Sequence, residues 1–232
     1  MKLRGIHIGW VMALLTVLSG CMKEIAPGHQ SSSWDTESQM QHAVATLRSQ
    51  NGVRYLQLDP VSKGWIVNPE AVSGIPDVTR LFVQYDVIRA EGMPSFCTEP
   101  VRVDWATPLD VGSVSLGQGD IAYTSVSGDP VDVVSDWVTS LEDGFLTVHY
   151  SAPVSGNKKH SFLLCKGASP YAFYFVHDAH GDEGGALTDG IVCFPVEEYL
   201  PDTGGKTVQL SLEYINLQNK TARLTIDYTS SK

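Results

Sequence analysis

The densest set of groups able to do chemistry is His177-Asp178-Ala179-His180-Gly181-Asp182-Glu183. Imidazole and carboxylate at this spacing could hold Zn²⁺ or Ca²⁺, and an ion on His177, His180 and Asp182 would support a metal-dependent hydrolase. On a strand, however, His177 and His180 project to opposite faces, so both reach one ion only if the chain turns between them. Gly181 permits such a turn. The competing reading is an Asp/Gly-rich loop after an aromatic strand, solvated and positioned for hairpin geometry rather than for binding an ion. That reading is adopted here, so no metal and no other cofactor is expected.

Other routes to catalysis have less support. No Gly-x-Ser-x-Gly elbow is present, and Cys97 beside Phe96 has no neighbouring base in sequence, although His149, His160 or His177 could approach it in space. Glu197-Glu198 and Glu142-Asp143 lie beside turns and read as solvent-facing charge rather than the facing carboxylates of a glycosidase. No phosphate-cradling glycine loop follows a strand. The chain is therefore expected to be non-catalytic. Large aromatics offer a binding alternative: Trp65, Trp105, Trp137, Tyr171 and Tyr174 could form a patch for a peptide or glycan wherever they face solvent. Alternation groups Trp105 with Val101 and Val103 on a core face, which makes it the poorest candidate.

Where this chemistry operates is set by the first residues. Lys2 and Arg4 precede an apolar run from Ile6 to Leu18, closed by Leu18-Ser19-Gly20-Cys21. The run is too short for a spanning helix, which needs ~20 apolar residues, and its small-residue end is that of a signal segment cleaved before a cysteine. Residues 1–20 are expected to be a lipoprotein signal peptide and Cys21 the lipid attachment site, giving an outer-membrane lipoprotein that is periplasmic or surface-exposed. The full sequence carries a formal charge of −10; without Lys2 and Arg4 its sixteen basic side chains become fourteen against twenty-six acidic ones, or −12. Such a chain repels phosphates, so nucleic acid is not an expected partner. The membrane is met through the lipid on Cys21, and the remaining partner is expected to be an envelope protein, a secreted peptide or a glycan.

The elements that position these groups read as strands. Residues 21–50 are expected to be a flexible tether, with Met40, Val44 and Leu47 at a spacing that allows a short helix. From Val53 the period changes to two. Arg80 to Ala90 places Leu81, Val83, Tyr85 and Val87 on one face, and Val101-Arg102-Val103-Asp104-Trp105 alternates cleanly; short strands with Gly/Pro turns predict a small barrel over residues 51–117. Pro108 to Gly119 reads as a boundary. Asp129 to Glu142 fits a helix or an edge strand equally. Beyond it, the alternation in Leu146-Val148-Tyr150, Phe173-Phe175-His177 and the pair Val208–Tyr214 and Leu224–Tyr228 across Gln218-Asn219-Lys220 predicts an immunoglobulin-like β-sandwich over residues 118–232. Cys97, Cys165 and Cys193 are expected to be buried thiols.

These features together resemble a known family. The lipobox, Arg80-Leu81-Phe82-Val83-Gln84-Tyr85 before Val101-Arg102-Val103, Asp129-Pro130-Val131, Phe145-Leu146-Thr147-Val148, His160-Ser161-Phe162-Leu163-Leu164 and His177-Asp178-Ala179-His180-Gly181-Asp182 look like the NigD-like lipoproteins. The resemblance runs from about Val53 to the end of the chain. It implies an N-terminal domain of the oligonucleotide/oligosaccharide-binding (OB) type, a C-terminal β-sandwich, and an immunity or accessory role beside a bacteriocin. The fold name does not import nucleic-acid binding. Replacing Cys21 by serine is expected to move the protein from the envelope fraction to the soluble fraction; unchanged fractionation would refute the anchor.

Overall fold

The computed structural model describes residues 40–116, 126–182 and 184–230. The expected signal peptide, Cys21 and most of the expected tether lie outside them. Five strands form the N-terminal barrel: β1 (Met40–Gln50), β2 (Val53–Gln57), β3 (Lys63–Ile66), β4 (Thr79–Val87) and β5 (Glu99–Pro108). They close in the order β1-β2-β3-β5-β4, with β3 and β5 parallel and every other pair antiparallel. This is the Greek-key barrel that the OB resemblance implies. Ala45, Leu47, Leu56, Ile66, Leu81, Val83, Tyr85, Val101 and Val103 fill its interior, and a 3-10 turn over Pro69–Val72 adds Val72 to the same cluster.

The expected tether therefore ends earlier than residue 50, and the short helix is not formed. Residues 40–50 are the first barrel strand, joined to β2 by Asn51-Gly52, both at positive φ. That dipeptide is the strongest short hairpin signal a sequence carries. The strand hides its alternation because Ala45 and Leu47 face the barrel core while Val44 and Thr46, of opposite parity, are also buried. A strand buried on both faces reads as a continuous run.

The C-terminal half is a sandwich of two five-stranded sheets. Its strands are β6 (Asp110–Val111), β7 (Ser113–Ser115), β8 (Asp132–Val133), β9 (Ser140–Glu142), β10 (Phe145–Val154), β11 (Ser161–Lys166), β12 (Ala172–Asp178), β13 (Ala186–Pro195), β14 (Val208–Ile215) and β15 (Thr221–Tyr228). One sheet runs β6-β13-β10-β8 with β9 also on β10; the other runs β15-β14-β12-β11-β7. Leu146, Val148, Val192 and Phe194 from the first meet Leu164, Phe173, Phe175, Leu210 and Leu212 from the second. The boundary expected at residues 117 and 118 moves back to Asp110, because β6 already pairs with β13 and β7 with β11. Gly112 separates these two strands, and a Cβ there would lie 2.1 Å from a ring carbon of Phe194, so only glycine lets the chain cross between sheets at this point. Asp129 to Glu142 forms neither a helix nor one strand but the two short strands β8 and β9. Cys97, Cys165 and Cys193 are buried, and none forms a disulfide.

Barrel and sandwich belong to one compact unit, Ser38–Lys232, and a buried charge joins them. Arg80 of β4 is 2% exposed. Its guanidinium donates to Thr46 Oγ1 of β1 at 3.1 Å, to Thr147 Oγ1 of β10 at 3.3 Å and to Glu142 Oε2 of β9 at 3.1 Å. Burial pulls the Arg80 pKa down, and Glu142 offsets that pull. Beside it, Arg48 makes a bidentate pair with Asp143, both contacts 2.8 Å. Glu142→Gln leaves the guanidinium without its bonded anion. Because Glu142 is about one-third exposed, the expected loss is about 2 kcal/mol, less than the ~3–5 kcal/mol of breaking a fully buried pair. The double variant Arg80→Met/Glu142→Gln should recover part of that loss in urea melts. A single-variant cost no larger than that of an ordinary surface change would remove the pair's structural role.

Candidate binding cleft

The outer face of β1 and β4 changes character along its length. Thr46 and Arg80 lie under the sandwich, but beyond them His42, Phe82 and Gln84 leave its cover. Cross-strand pairing sets His42 against Gln84, and Gln84 against Trp105 of β5. The result is an aromatic cluster: Phe82 stacks with His42 at 6.0 Å and meets Trp105 edge-on at 5.4 Å. The Trp105 indole N–H donates to Gln84 Oε1 at 2.9 Å.

Trp105 was expected in the core, and it is 37% exposed. The reason is a β-bulge. Gln84 pairs with Trp105 while Tyr85 pairs with Val103, so Asp104 has no cross-strand partner and the parity of β5 changes there. Val101 and Val103 stay inside and Trp105 turns out.

Trp137 completes the cluster from the sandwich side. It stacks on Phe82 at 6.2 Å and is 59% exposed. A large apolar side chain this open needs a rigid base to hold its position, and the β8–β9 connection supplies one. Asp136 Oδ1 accepts the amides of Val138 and Thr139 at 3.0 and 3.3 Å, and Asp136 Oδ2 contacts His149 Nδ1 of β10 at 2.8 Å. Thr139 Oγ1 donates to Val134 O and accepts from His149 N. Partial burial works against the charged Asp136 carboxylate, yet His149 and the two amides hold its pKa below the usual range. Between the barrel and the sandwich lies an open cleft of about 610 Å³, lined by Phe82, Trp105, His149, Asp189 and Ile191 among others. Trp65, Tyr171 and Tyr174, the other expected aromatics, are half-buried.

The sequence-dense cluster takes a different form from a metal site. The chain does turn after β12, with His180 and Gly181 at positive φ, but His180 points to its neighbour Asp178 at 3.4 Å. His177 is 1% exposed and both its nitrogens are engaged: Nδ1 with Pro130 O at 3.2 Å, Nε2 with His160 Nδ1 at 2.9 Å. His160 Nε2 then meets Asp182 Oδ2 at 3.2 Å, and Asp182 also takes the Ser155 hydroxyl and the Ser155 amide at 3.0 Å. Among the described residues no group of three or more His, Cys, Asp or Glu side chains is placed to hold a metal ion. Ser155 bonds to the carboxylate rather than to an imidazole, so it lacks the base a nucleophilic serine needs. The Cys97 thiol is pushed up by burial, opposite to an activated thiolate.

Pro130 O can only accept, so His177 Nδ1 donates that bond, and burial holds the His177 pKa below its ordinary value. The Ser155 hydroxyl is the main reason the Asp182 carboxyl lies below its ordinary range, with the Ser155 amide and His160 adding to it. A carboxyl depressed in this way stabilises the fold above the unfolded pKa of ~3.9 and loses that contribution as pH falls through its folded value. Asp182→Asn is expected to melt at a lower temperature at pH 7, and the gap from the parent should narrow below about pH 4. Chelator should move neither curve. Parallel curves, or a chelator-sensitive melt of the parent, would contradict the network as drawn.

Comparison with known proteins follows the architecture. Residues 115–228 match the NigD-like C-terminal beta sandwich domain. No curated protein matches the sequence at a significant level. Solved structures sharing the fold include a provisionally named toxin-related protein of Parabacteroides distasonis, with TM-score 0.66 and 23% identity over 83% of this chain and 95% of that one. A NigD-like immunity protein of Bacteroides caccae gives 0.56 and 19% over 84% and 98%. A provisionally named lipoprotein of Bacteroides fragilis gives 0.58 and 11% over 84% and 100%. Over residues 115–228 the chain carries the NigD-like C-terminal sandwich domain.

Proposed function

We propose that the chain is a non-catalytic binding module of accessory or immunity type, held at the cell envelope by the lipid on Cys21 and presenting the cleft between barrel and sandwich to its partner. One observation carries the reading: Trp105 and Trp137, 37% and 59% exposed, converge on Phe82 from two domains tied together by the buried Arg80 on Glu142 and the half-buried Arg48–Asp143 pair. Exposed aromatics on a rigid frame lose little freedom on binding, so more of the contact energy is retained as affinity. The polar groups that sequence spacing made most conspicuous are bonded to one another and have little left to offer a substrate. The solved B. caccae relative named an immunity protein and the B. fragilis relative provisionally named a lipoprotein support the role and the envelope address.

The test is photo-crosslinking in cells. Benzoylphenylalanine replacing Trp137, which borders the cleft through its stack on Phe82, should give adducts that weaken when Trp105→Ala is added, whereas the same probe at exposed Val61, in neither the lining nor the aromatic cluster, should give none. Trp105→Ala itself should cost about 1 kcal/mol, through the edge contact with Phe82 and the bond to Gln84, and leave the protein folded. Equal adducts at both positions, or none at 137, would end the reading.

A further inference from the structure

Charge sets the cleft apart from an ordinary apolar groove. Its ionisable lining is Asp110, Asp189 and His149, with no lysine or arginine among the described residues that form it. Asp110 on β6 and Asp189 on β13 are both exposed. At the Trp137 end stands Asp136, held ionised by the bonds already described. The buried cation of the neighbouring seam, Arg80, is matched by Glu142 and does not offset these carboxylates. The whole chain adds to the same sign, at −10.

We infer that the cleft receives a basic peptide, an arginine or lysine side chain lying on the Trp105–Phe82–Trp137 faces with its charged head toward Asp110 and Asp189. This rests on the binding-module reading and names the partner's chemistry. Indole faces attract cations through the ring quadrupole, and a guanidinium can stack flat on an indole while donating to carboxylates at its edge. A cation thus uses both halves of the lining at once. A neutral sugar would use the aromatic faces and leave the net negative charge without a role. An anionic ligand would meet Asp110, Asp189 and the overall charge as repulsion. The same field would draw a basic segment in from a distance and make association sensitive to salt.

The experiment measures binding of fluorescein-labelled hexa-arginine to the mature lipoprotein in neutral detergent, with xylohexaose and hexaglutamate as comparison probes. Saturable binding of hexa-arginine with quenching of tryptophan fluorescence is expected, weakening about tenfold or more between low and physiological salt. Asp110→Asn/Asp189→Asn and Trp137→Ala should each weaken it about tenfold or more, while Glu70→Gln/Glu91→Gln, which removes the same charge at exposed sites outside the cleft lining, should leave it within about twofold. Hexaglutamate should not bind. No binding of hexa-arginine, or an equal loss in the Glu70/Glu91 variant, would overturn the inference. Xylohexaose binding that survives Asp110→Asn/Asp189→Asn would also overturn it while leaving a binding cleft in place. Absence of cleft-specific crosslinks in cells would instead remove the reading beneath it.

Discussion

A guanidinium out of water is the constraint on which this architecture turns. Arg80 is shared among Thr46 on β1, Thr147 on β10 and Glu142 on β9. Sliding the sandwich along the barrel by one residue would strip a desolvated cation of acceptors it cannot replace. Arginine suits this position because its donors form a planar, pre-shaped fork, whereas a lysine would offer one flexible ammonium. Such a pair gains little net stability over a well-packed apolar seam, and its effect lies in making one arrangement far better than its neighbours. Phe82 lies two residues further along the same face of β4, so the geometry that satisfies Arg80 also sets where Phe82 meets Trp137. The cleft takes its width from the seam.

The residues that mattered most in this arrangement were the hardest to read in sequence. Alternation revealed β4, β12 and the β14–β15 hairpin because each has one dry face and one wetter face, and β10 because Thr147 and His149 alternate with Leu146, Val148 and Tyr150. It failed on β1, whose two faces are both covered, one by the barrel core and one by the sandwich. It failed again at Trp105, because one unpaired residue in β5 reverses the parity and nothing in Val101-Arg102-Val103-Asp104-Trp105 marks where. Arg80 gave no signal of its own: nothing in an alternating strand tells that the outside of one charged residue is the sandwich. The Asn51-Gly52 turn was a signal that was present and would have extended the barrel to β1.

The run from His177 to Glu183 was expected to be solvated, and His177 and Asp182 are buried instead. His177, His180 and Asp182 are close in sequence, but the bonds that define them come from His160 and Ser155, seventeen residues before His177 and twenty-seven before Asp182. That pairing follows from β11 lying antiparallel to β12, where Phe162 sits opposite His177 and brings His160 against the next turn. The stacking of Phe162 on both Phe175 and His177, at 5.5 and 5.1 Å, embeds the inner ring in the sandwich core. An imidazole there costs stability unless each nitrogen is bonded. The run from Pro130 through His177 and His160 to Asp182 satisfies that requirement and uses up the groups in doing so.

The molecule thus separates two kinds of polar group. In the seam and beneath β12 every charge or ring nitrogen has partners, and these sites hold the fold in one register. At the cleft, Asp110 and Asp189 face solvent in a lining shared with the Trp105 indole, and among the described residues no side-chain bond holds either carboxylate. Leaving large apolar faces in water costs free energy that folding alone does not require. Fixing one of them, Trp137, on a loop tied down through Asp136, Thr139 and His149 adds an ordering cost for which the fold gains little beyond the stack on Phe82. Both costs become intelligible if they are recovered on contact with a ligand, since a frame already rigid and already partly exposed has the least to rearrange when its partner arrives.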